Sequence, residues 1–432
     1  ANNFLRETTD EKLDARNVST TIRSEIPAYR AEARLMRAMA YYYMMDVFGK
    51  ANFATEDDAL NSQSPVYGRA ELFTYIESEL LAIDSDLVNS RQNEYGRADK
   101  AVAYMILAKM YLNAQVYIGT DRNADCLSHC EKIIGGGYTL ADNYLHNFMA
   151  DNNTNSATNE IIFPIISDGF TTQNYGPTTV MINGSVGSIE QNGTEVGVGA
   201  GGWGGALRVR KQFAELFDGS FADDTRNTII SEGRPIDIND ISDKDSGYII
   251  QKYSNATSTG DFGVDQTFVD TDFPLFRLAD VYLMYAEAHL RGGGGSLSTA
   301  IDYVNELRTR ANNTNLITSG DLTLDFILDE RSRELHWEAH RRQDLIRYNK
   351  TSDYQKFVTS LYKDRFNASV GKDNLDGASV YILAEGATVA FTALITTEGA
   401  KLLEEPSHDV LVSVTRAEID AHAAQFTLAY AA

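Results

Sequence analysis

Two histidines four residues apart give this sequence its most direct hint of metal chemistry. His336 and His340 frame the run HWEAH, and on a helix they would share one face, the spacing that chelates zinc. The zinc-protease motif needs a glutamate directly after the first histidine, whereas Glu338 follows two residues later, and no third ligand is evident. Packing against neighbouring helices is the favoured interpretation, so we predict no metal site and no cofactor.

A second pattern, the run 197–202, matches the dinucleotide-binding fingerprint GxGxxG letter for letter. A genuine site needs a buried strand before the glycines and a helix that begins on them. Here the polar run IEQNGTEV precedes the glycines, and Trp203 with two more glycines follows. The context predicts a glycine-rich surface loop.

The stretch 330–347 is dense in charges of both signs. Such ladders usually form i,i+4 pairs and salt bridges between helices, whereas catalytic carboxylates need a cleft and a raised pKa. The sequence has no Gly-x-Ser-x-Gly elbow, no Walker loop and no cysteine–histidine nucleophile pattern, so an enzyme is disfavoured and a hydrolase stays a minor alternative. The charged positions are Glu330, Arg331, Arg333, Glu334, Glu338, Arg341, Arg342, Asp344 and Arg347.

Helices are expected to position most of these residues. Apolar side chains recur every three or four residues, and four glycines at 292–295 join two such segments into a hairpin of the tetratricopeptide type. The region 138–272 is instead rich in Gly, Asn, Thr and Ser, which predicts long loops with a few short strands; loops this long usually carry function. The predicted helices are 28–48, 69–88, 98–118, 123–134, 208–217, 274–291, 297–312 and 324–349.

Composition limits the partners. The chain of 432 residues has a net charge of -23, which repels polyanions and excludes nucleic acid as a partner. No apolar run reaches the length of about 18 residues that a spanning helix needs. Cys126 and Cys130 lie four apart in a predicted helix, where a strain-free disulfide is awkward, so we expect two free thiols.

Five blocks of sequence, occurring in a fixed order over about 1–350, carry a family resemblance. They include the run EARLMRA at 32–38 followed by three tyrosines, the run GRADKAVA at 96–103, and the loop GWGG at 202–205 ahead of Asp224 and Arg226. The last two are PLFRLADVYLMYAEA at 274–288 and the charged stretch 330–347. Together these blocks resemble the SusD/RagB family of nutrient-binding outer-membrane lipoproteins.

The resemblance implies a mostly α-helical fold in which tetratricopeptide-like helix pairs support a loop-rich region with short strands. We therefore expect one SusD-like helical scaffold over 1–365, with the loop-rich insertion at about 138–272. Residues 366–432 lack the family's usual closing pattern and are expected to form an atypical C-terminal segment of the same domain.

The resemblance also implies a role. Such proteins are lipid-anchored at the cell surface of the outer membrane, where they pass oligosaccharides, or in some branches oligopeptides, to a SusC-like TonB-dependent transporter without catalysis. The lipid-bearing cysteine of the family has no match here, so any membrane contact would run through an anchor outside this chain. A helical-repeat scaffold that binds only protein is the alternative from a different class.

Sugar capture needs exposed aromatic faces that stack on pyranose rings and polar groups that bond hydroxyls. In the loop-rich region we expect Trp203, Tyr175 and Tyr253 to be exposed, with Asn174 as a polar neighbour. Trp203 could instead simply pack its own loop.

Three acidic residues in the same region, Asp265, Asp270 and Asp272, raise the question of calcium. Isolated acidic groups of this kind are usually solvated loop residues, so they are not assigned a metal.

Overall fold

Helices dominate the structure, as the sequence predicts. The computed structural model describes residues 1–60, 63–185, 198–203, 207–221, 223–231, 233–240 and 242–348, together with three strands between 381 and 430. The helices are α1 Asn2–Glu7, α2 Asp10–Ala15, α3 Thr20–Phe48, α4 Arg69–Ala82, α5 Lys100–Leu112, α6 Ala114–Ile118, α7 Asn123–Ile134, α8 Pro177–Ser185, α9 Lys211–Ala214, α10 Leu278–Leu290, α11 Leu297–Arg310, α12 Leu324–Leu335 and α13 Arg341–Arg347.

The strands are short and pair antiparallel. β1 with β2, β3 with β6 and β4 with β5 form two-stranded ribbons, and β7, β8 and β9 form a three-stranded sheet in that order. The run 410–415, for which the sequence allows either a strand or irregular structure, lies outside the described residues. The strands are β1 Lys50–Asn52, β2 Val66–Gly68, β3 Ile161–Ile165, β4 Ile229–Ile230, β5 Ile249–Ile250, β6 Phe273–Arg277, β7 Tyr381–Glu385, β8 Thr388–Thr392 and β9 Leu428–Tyr430.

The main hydrophobic core lies among α3, α4, α5, α7, α10 and α11. Local signals set the helix ends: Asp99 caps α5 by accepting the Ala101 N–H at 2.8 Å, and Gly49 ends α3 at a φ of 70°. The apolar stripes predicted on α3, α5 and α11 are all buried. Cys126 and Cys130 are free, as expected, and fully buried on α7.

Several predicted boundaries are wrong for tertiary reasons. The segment predicted as one helix from 274 begins as β6, which pairs with β3 before α10 starts at Leu278. The predicted helix 208–217 is only α9 followed by a 3₁₀ turn, Glu215–Phe217.

The largest correction concerns the predicted helix 324–349. Its described part divides into α12 and α13, and Trp337 and Ala339 between them have φ values of 60° and 64°, in the left-handed region that non-glycine residues avoid. His336 and His340 therefore do not share a helical face, and the zinc spacing has no structural basis.

The break accompanies a buried set of charged side chains, here named the central ion cluster. Arg277, at the end of β6, donates from Nε and Nη2 to Glu338 at 2.6 and 2.8 Å. Its Nη1 donates to Glu334 at 2.6 Å and to Glu160 at 2.8 Å. None of these four side chains is more than 1% exposed. The other members are Asp224, Arg226, Lys252, Arg308, Arg310, Glu330 and Arg333.

Interrupting the helix frees main-chain carbonyl groups for this cluster. The carbonyl oxygen of Glu334 accepts from Arg277 Nη2 at 2.8 Å and from the Tyr144 hydroxyl at 3.0 Å. The carbonyl oxygen of His336 accepts from Lys252 Nζ at 2.5 Å. In a continuous helix these oxygens would bond to N–H groups four residues further on. The buried cations thus explain why the helix stops here.

The charged stretch forms the predicted salt bridges between helices, such as Arg331 with Asp280 and Arg347 with Glu287. Within it, Arg333 pairs with Glu330 and Arg347 with Asp344 at i,i+3, and Arg331 pairs with Asp344 across the break. Other charges of the stretch reach distant segments, such as Glu330 with Arg226 and Glu338 with Arg277. Burial by itself would raise the pKa of Glu334, yet the surrounding guanidinium groups, Arg310 and Arg277 foremost, hold this pKa below its usual range. Burial lowers the pKa of Lys252 to about 8, against the opposing charge of Glu338.

A second ion cluster joins α5, α10, α12 and α13. Lys109 Nζ and Arg331 Nη1 donate to Asp280 at 2.9 and 2.8 Å, and Arg331 Nε donates to Asp344 at 2.9 Å. His340 Nδ1 lies 3.0 Å from Lys109 Nζ. Burial and the Lys109 charge lower the pKa of His340 to about 4. The imidazole is therefore buried in its neutral form.

Replacing Arg277 should remove the centre of the first cluster. We expect Arg277→Met to lower the free energy of unfolding by about 3–5 kcal/mol, because Glu334 and Glu338 would stay buried with one of their paired cations removed. Urea denaturation followed by circular dichroism measures this loss. Arg16→Met is the control: Arg16 is half exposed beside Glu7, and its loss should cost less than about 1 kcal/mol. Equal losses in the two variants would contradict the assignment.

Buried His340 should make the protein sensitive to acid. The pKa of His340 is about 4 in the folded chain and 6.5 ordinarily, so between these pH values the unfolded chain binds a proton on His340 and the folded chain does not. Stability should therefore fall as the pH drops from 6.5 to 4, by roughly 3 kcal/mol from this group at 1.36 kcal/mol per pKa unit. Urea titrations across this range should show a shallower slope for His340→Asn, and an unchanged slope would refute the prediction.

Candidate ligand-binding site

Three loops of the loop-rich region come together at the surface. The Tyr175 loop spans 168–176, the Trp203 loop spans 198–203, and the Phe268 loop spans 261–270. Gly201 N–H bonds the Gln266 carbonyl at 3.1 Å, which joins the second loop to the third. The side chain of Asp270 accepts the N–H groups of Gly169 and Val264, each at 2.7 Å, and joins the first loop to the third.

The aromatic side chains of these loops form a contiguous surface, here named the aromatic platform: Tyr175, Trp203 and Phe268. The ring centroids of Tyr175 and Trp203 are 5.8 Å apart with planes inclined at 50°, and those of Tyr175 and Phe268 are 5.2 Å apart. Tyr175 is 66% exposed and Trp203 is 42% exposed. The structure thus brings two of the predicted residues together, and both are exposed.

An exposed pair of this kind can stack on the apolar face of a pyranose ring while the phenol hydroxyl and indole N–H remain available as hydrogen-bonding groups. Trp203 packs on Tyr175, so part of its ring serves the loop itself, but the remainder faces solvent. Binding by stacking needs neither a charged group nor a metal ion.

Asn174 is exposed beside Tyr175, as predicted, but its side-chain amide forms hydrogen bonds within its own turn. Its Oδ1 accepts the Gly176 N–H at 2.5 Å, and its Nδ2 donates to the Thr172 carbonyl at 2.7 Å. The side chain therefore shapes the Tyr175 loop. One amide hydrogen remains for a ligand.

Tyr253 is wrongly predicted as an exposed stacking residue. It is 2% exposed, its ring lies parallel to Phe273 at 6.1 Å and edge-on to Phe148 at 5.1 Å, and its hydroxyl donates to the Trp337 carbonyl at 3.2 Å. Its neighbours lie far away in the sequence, so no local pattern could reveal the burial.

Sequence reasoning also missed residues. Phe268 completes the platform, and Phe170, Phe262 and Val264 are exposed on the same loops. The only available signal was an aromatic residue in a Gly- and Asn-rich segment, and Tyr253 meets the same condition while being buried. Exposure of loop aromatics depends on how the loops fold back on each other.

The acidic residues of the Phe268 loop region bond to main-chain groups. Asp265 accepts the Thr267 and Phe268 N–H groups at 2.7 and 2.8 Å, and the N–H groups of Phe268 and Thr267 lower its pKa. Asp272 accepts the Ser167 N–H and the Tyr95 hydroxyl, each at 2.7 Å. Within the described part of the chain, no group of three potential ligands is arranged to hold a metal ion.

A second, smaller hydrophobic core supports the platform. It contains residues from the Trp203 loop, the Phe268 loop and α8, and Trp337 packs against it. Its far side meets the central ion cluster, because Lys252 Nζ lies 4.2 Å from the Phe148 ring centroid. The buried members are Tyr144, Phe148, Ile182, Val198, Ala200, Tyr253, Val269 and Phe273.

Comparison with known proteins agrees with this architecture. The sequence model described as the SusD family matches residues 222–379. The starch-binding protein SusD of Bacteroides thetaiotaomicron is 35% identical over 406 residues, which cover 83% of this chain and 68% of that protein. A SusD-like protein of Bacteroides ovatus is 29% identical, covering 73% of this chain and 58% of its own length. This chain therefore spans only part of the length of these relatives.

Solved structures give the same fold. Surface glycan-binding protein A of Bacteroides thetaiotaomicron, solved in complex with laminarihexaose, aligns with a TM-score of 0.57 at 23% identity, over 75% of this chain and 69% of that one. A SusD superfamily protein from Parabacteroides distasonis aligns with a TM-score of 0.58 at 21% identity, over 77% and 69% of the two chains.

Buried Tyr253 should behave as a core residue. We expect Tyr253→Phe to lower the free energy of unfolding by about 1 kcal/mol through loss of one hydrogen bond, and Tyr253→Ala to lower it by about 3–5 kcal/mol through the cavity left behind. Thermal or urea unfolding measures both. A free energy of unfolding close to the wild-type value in Tyr253→Ala would show that the ring is not part of the second core.

Proposed function

The chain belongs to the SusD family, and from this premise we propose that it is a cell-surface receptor that binds an oligosaccharide on the aromatic platform. The relative with 35% identity is a starch-binding protein, which supports a glucan as the ligand class. The observation that carries the proposal is the solvent-facing pair Tyr175 and Trp203, held on three interlocked loops.

The state of three acidic groups supports binding without chemistry. In the charged stretch, Glu330, Glu334 and Glu338 are buried in ion pairs, and the facing cations lower each pKa despite burial. A general acid needs a raised pKa and access to the ligand, and these carboxylates have neither. Their state supports a scaffold role, so the proposed receptor captures its ligand and releases it unchanged.

Delivery to a SusC-like TonB-dependent transporter of the outer membrane completes the proposal and rests on the family. Among the described residues, no helix is both long and apolar enough to cross a membrane. Attachment at the surface through a lipid anchor is part of the same proposal and likewise rests on the family. Co-purification of a TonB-dependent transporter with the protein from native membranes tests the delivery step.

Oligopeptide capture is the second candidate, favoured by the net charge of -23, which suits basic peptides. The two ligand classes differ in their response to salt. Stacking on a neutral sugar should be nearly independent of ionic strength, whereas attraction of a charged peptide is screened.

Removing either exposed ring should weaken glycan binding. We expect Trp203→Ala and Tyr175→Ala each to reduce the affinity for maltohexaose or laminarihexaose about 10-fold or more, the equivalent of ~1.4 kcal/mol. Isothermal titration calorimetry at two salt concentrations measures the effect.

The control is Phe48→Ala, which removes another exposed ring, 61% exposed at the end of α3, and should leave the affinity unchanged. Failure of the wild-type protein to bind any glycan, together with salt-sensitive binding of a basic peptide, would replace the glycan proposal with peptide capture.

A further inference from the structure

The platform loops are held by buried side-chain amides. Asn183 lies on α8 and is 1% exposed, and Asn255 is fully buried. Neither residue contributes a surface to the platform. Each bridges the Trp203 loop to the Phe268 loop, so the two amides fix the relative position of loops that have no regular secondary structure in common.

Asn183 bonds the main chain at Gly202 and at Trp203. Its Oδ1 accepts the Gly202 N–H at 3.1 Å, and its main-chain carbonyl accepts the Trp203 N–H at 2.6 Å. Its Nδ2 donates to the Thr267 carbonyl at 2.9 Å, next to Phe268, and to the Thr179 carbonyl at 3.1 Å. One side chain thus fixes the loops that carry two of the three platform rings.

Asn255 fixes the same two loops further along. Its Nδ2 donates to the carbonyls of Gly199 and Asp265, each at 2.9 Å, and its Oδ1 accepts the Asp270 N–H at 2.9 Å. Asp270 in turn bonds the Tyr175 loop through Gly169. The platform is therefore linked across all three loops.

We propose that Asn183 is a positioning residue for ligand binding, which sets the ring of Trp203 against Tyr175 in the geometry that a sugar ring contacts. The inference rests on the proposed function of the platform. Only an amide supplies the two donors and one acceptor used here, because aspartate at this position would face the carbonyls of Thr267 and Thr179 with oxygen. Ligand affinity should consequently depend on a residue that touches no ligand.

The experiment reads the position of Trp203 directly. The chain has two tryptophans, so Trp337→Phe leaves Trp203 as the only tryptophan, whose emission can be excited selectively over that of the tyrosines, and serves as the reference background. In this background we expect Asn183→Ala to raise the acrylamide quenching of Trp203 and to weaken binding of maltohexaose or laminarihexaose by about 10-fold or more, since buried hydrogen bonds are lost. The far-ultraviolet circular dichroism spectrum should show the same helix content as that of the reference protein.

Asn305→Ala is the matched control. Asn305, on α11, also bonds main-chain groups through both ends of its amide, donating to the Ile317 carbonyl at 3.0 Å and accepting the Ile317 N–H at 2.8 Å. Its removal should lower stability yet leave quenching and affinity unchanged. Asn183→Asp, which keeps the side-chain size and loses the donors, provides a second variant if the alanine variant does not fold.

Wild-type quenching and wild-type affinity in both Asn183 variants would overturn the positioning role. Quenching needs no ligand, so it separates the two proposals. If the reference protein binds no glycan but Trp203 still becomes more accessible in the Asn183 variants, the positioning role holds and the glycan proposal fails. If Trp203→Ala abolishes binding while the Asn183 variants bind normally, the glycan proposal holds and the positioning role fails.

Discussion

Buried cations that need oxygen acceptors are the constraint on which this structure depends. Arg277 and Lys252 lie in the interior, where an unpaired charge is strongly destabilising. Both cations bond main-chain carbonyls in addition to carboxylates: Arg277 bonds that of Glu334 in the last turn of α12, and Lys252 bonds that of His336 just beyond it. A helix cannot continue through these residues and still offer these oxygens. The break between α12 and α13, with two non-glycine residues in the left-handed region, is the consequence.

The same constraint extends to the surface through the second core. Lys252 lies against the ring of Phe148, and Tyr253, the next residue, packs between Phe148 and Phe273 and bonds the Trp337 carbonyl. The loops that carry the platform insert small apolar residues into this core. The central ion cluster therefore contacts the second core, and the second core in turn contacts the loops that carry the platform.

The division between scaffold and site is chemical as well as spatial. Buried ion pairs join the helices in the interior, whereas the proposed site consists of aromatic side chains on loops that neutral amides hold together. A platform of this kind binds by contact area and orientation, and an uncharged ligand fits it without a counterion. The acidic surface can then keep the protein soluble without taking part in recognition.

The sequence by itself determined what depends on near neighbours. Helical periodicity, the caps at Asp99 and Gly49, the free cysteines and the loop-rich character of 138–272 all follow from interactions within a few residues, and ordered motifs gave the family. Only the tertiary structure decided where α12 ends, that Tyr253 is buried, and that Tyr175 meets Trp203. In each case the contact partner is distant in the sequence. Because burial of a charge or a ring depends on such distant partners, no local periodicity in the sequence predicts it.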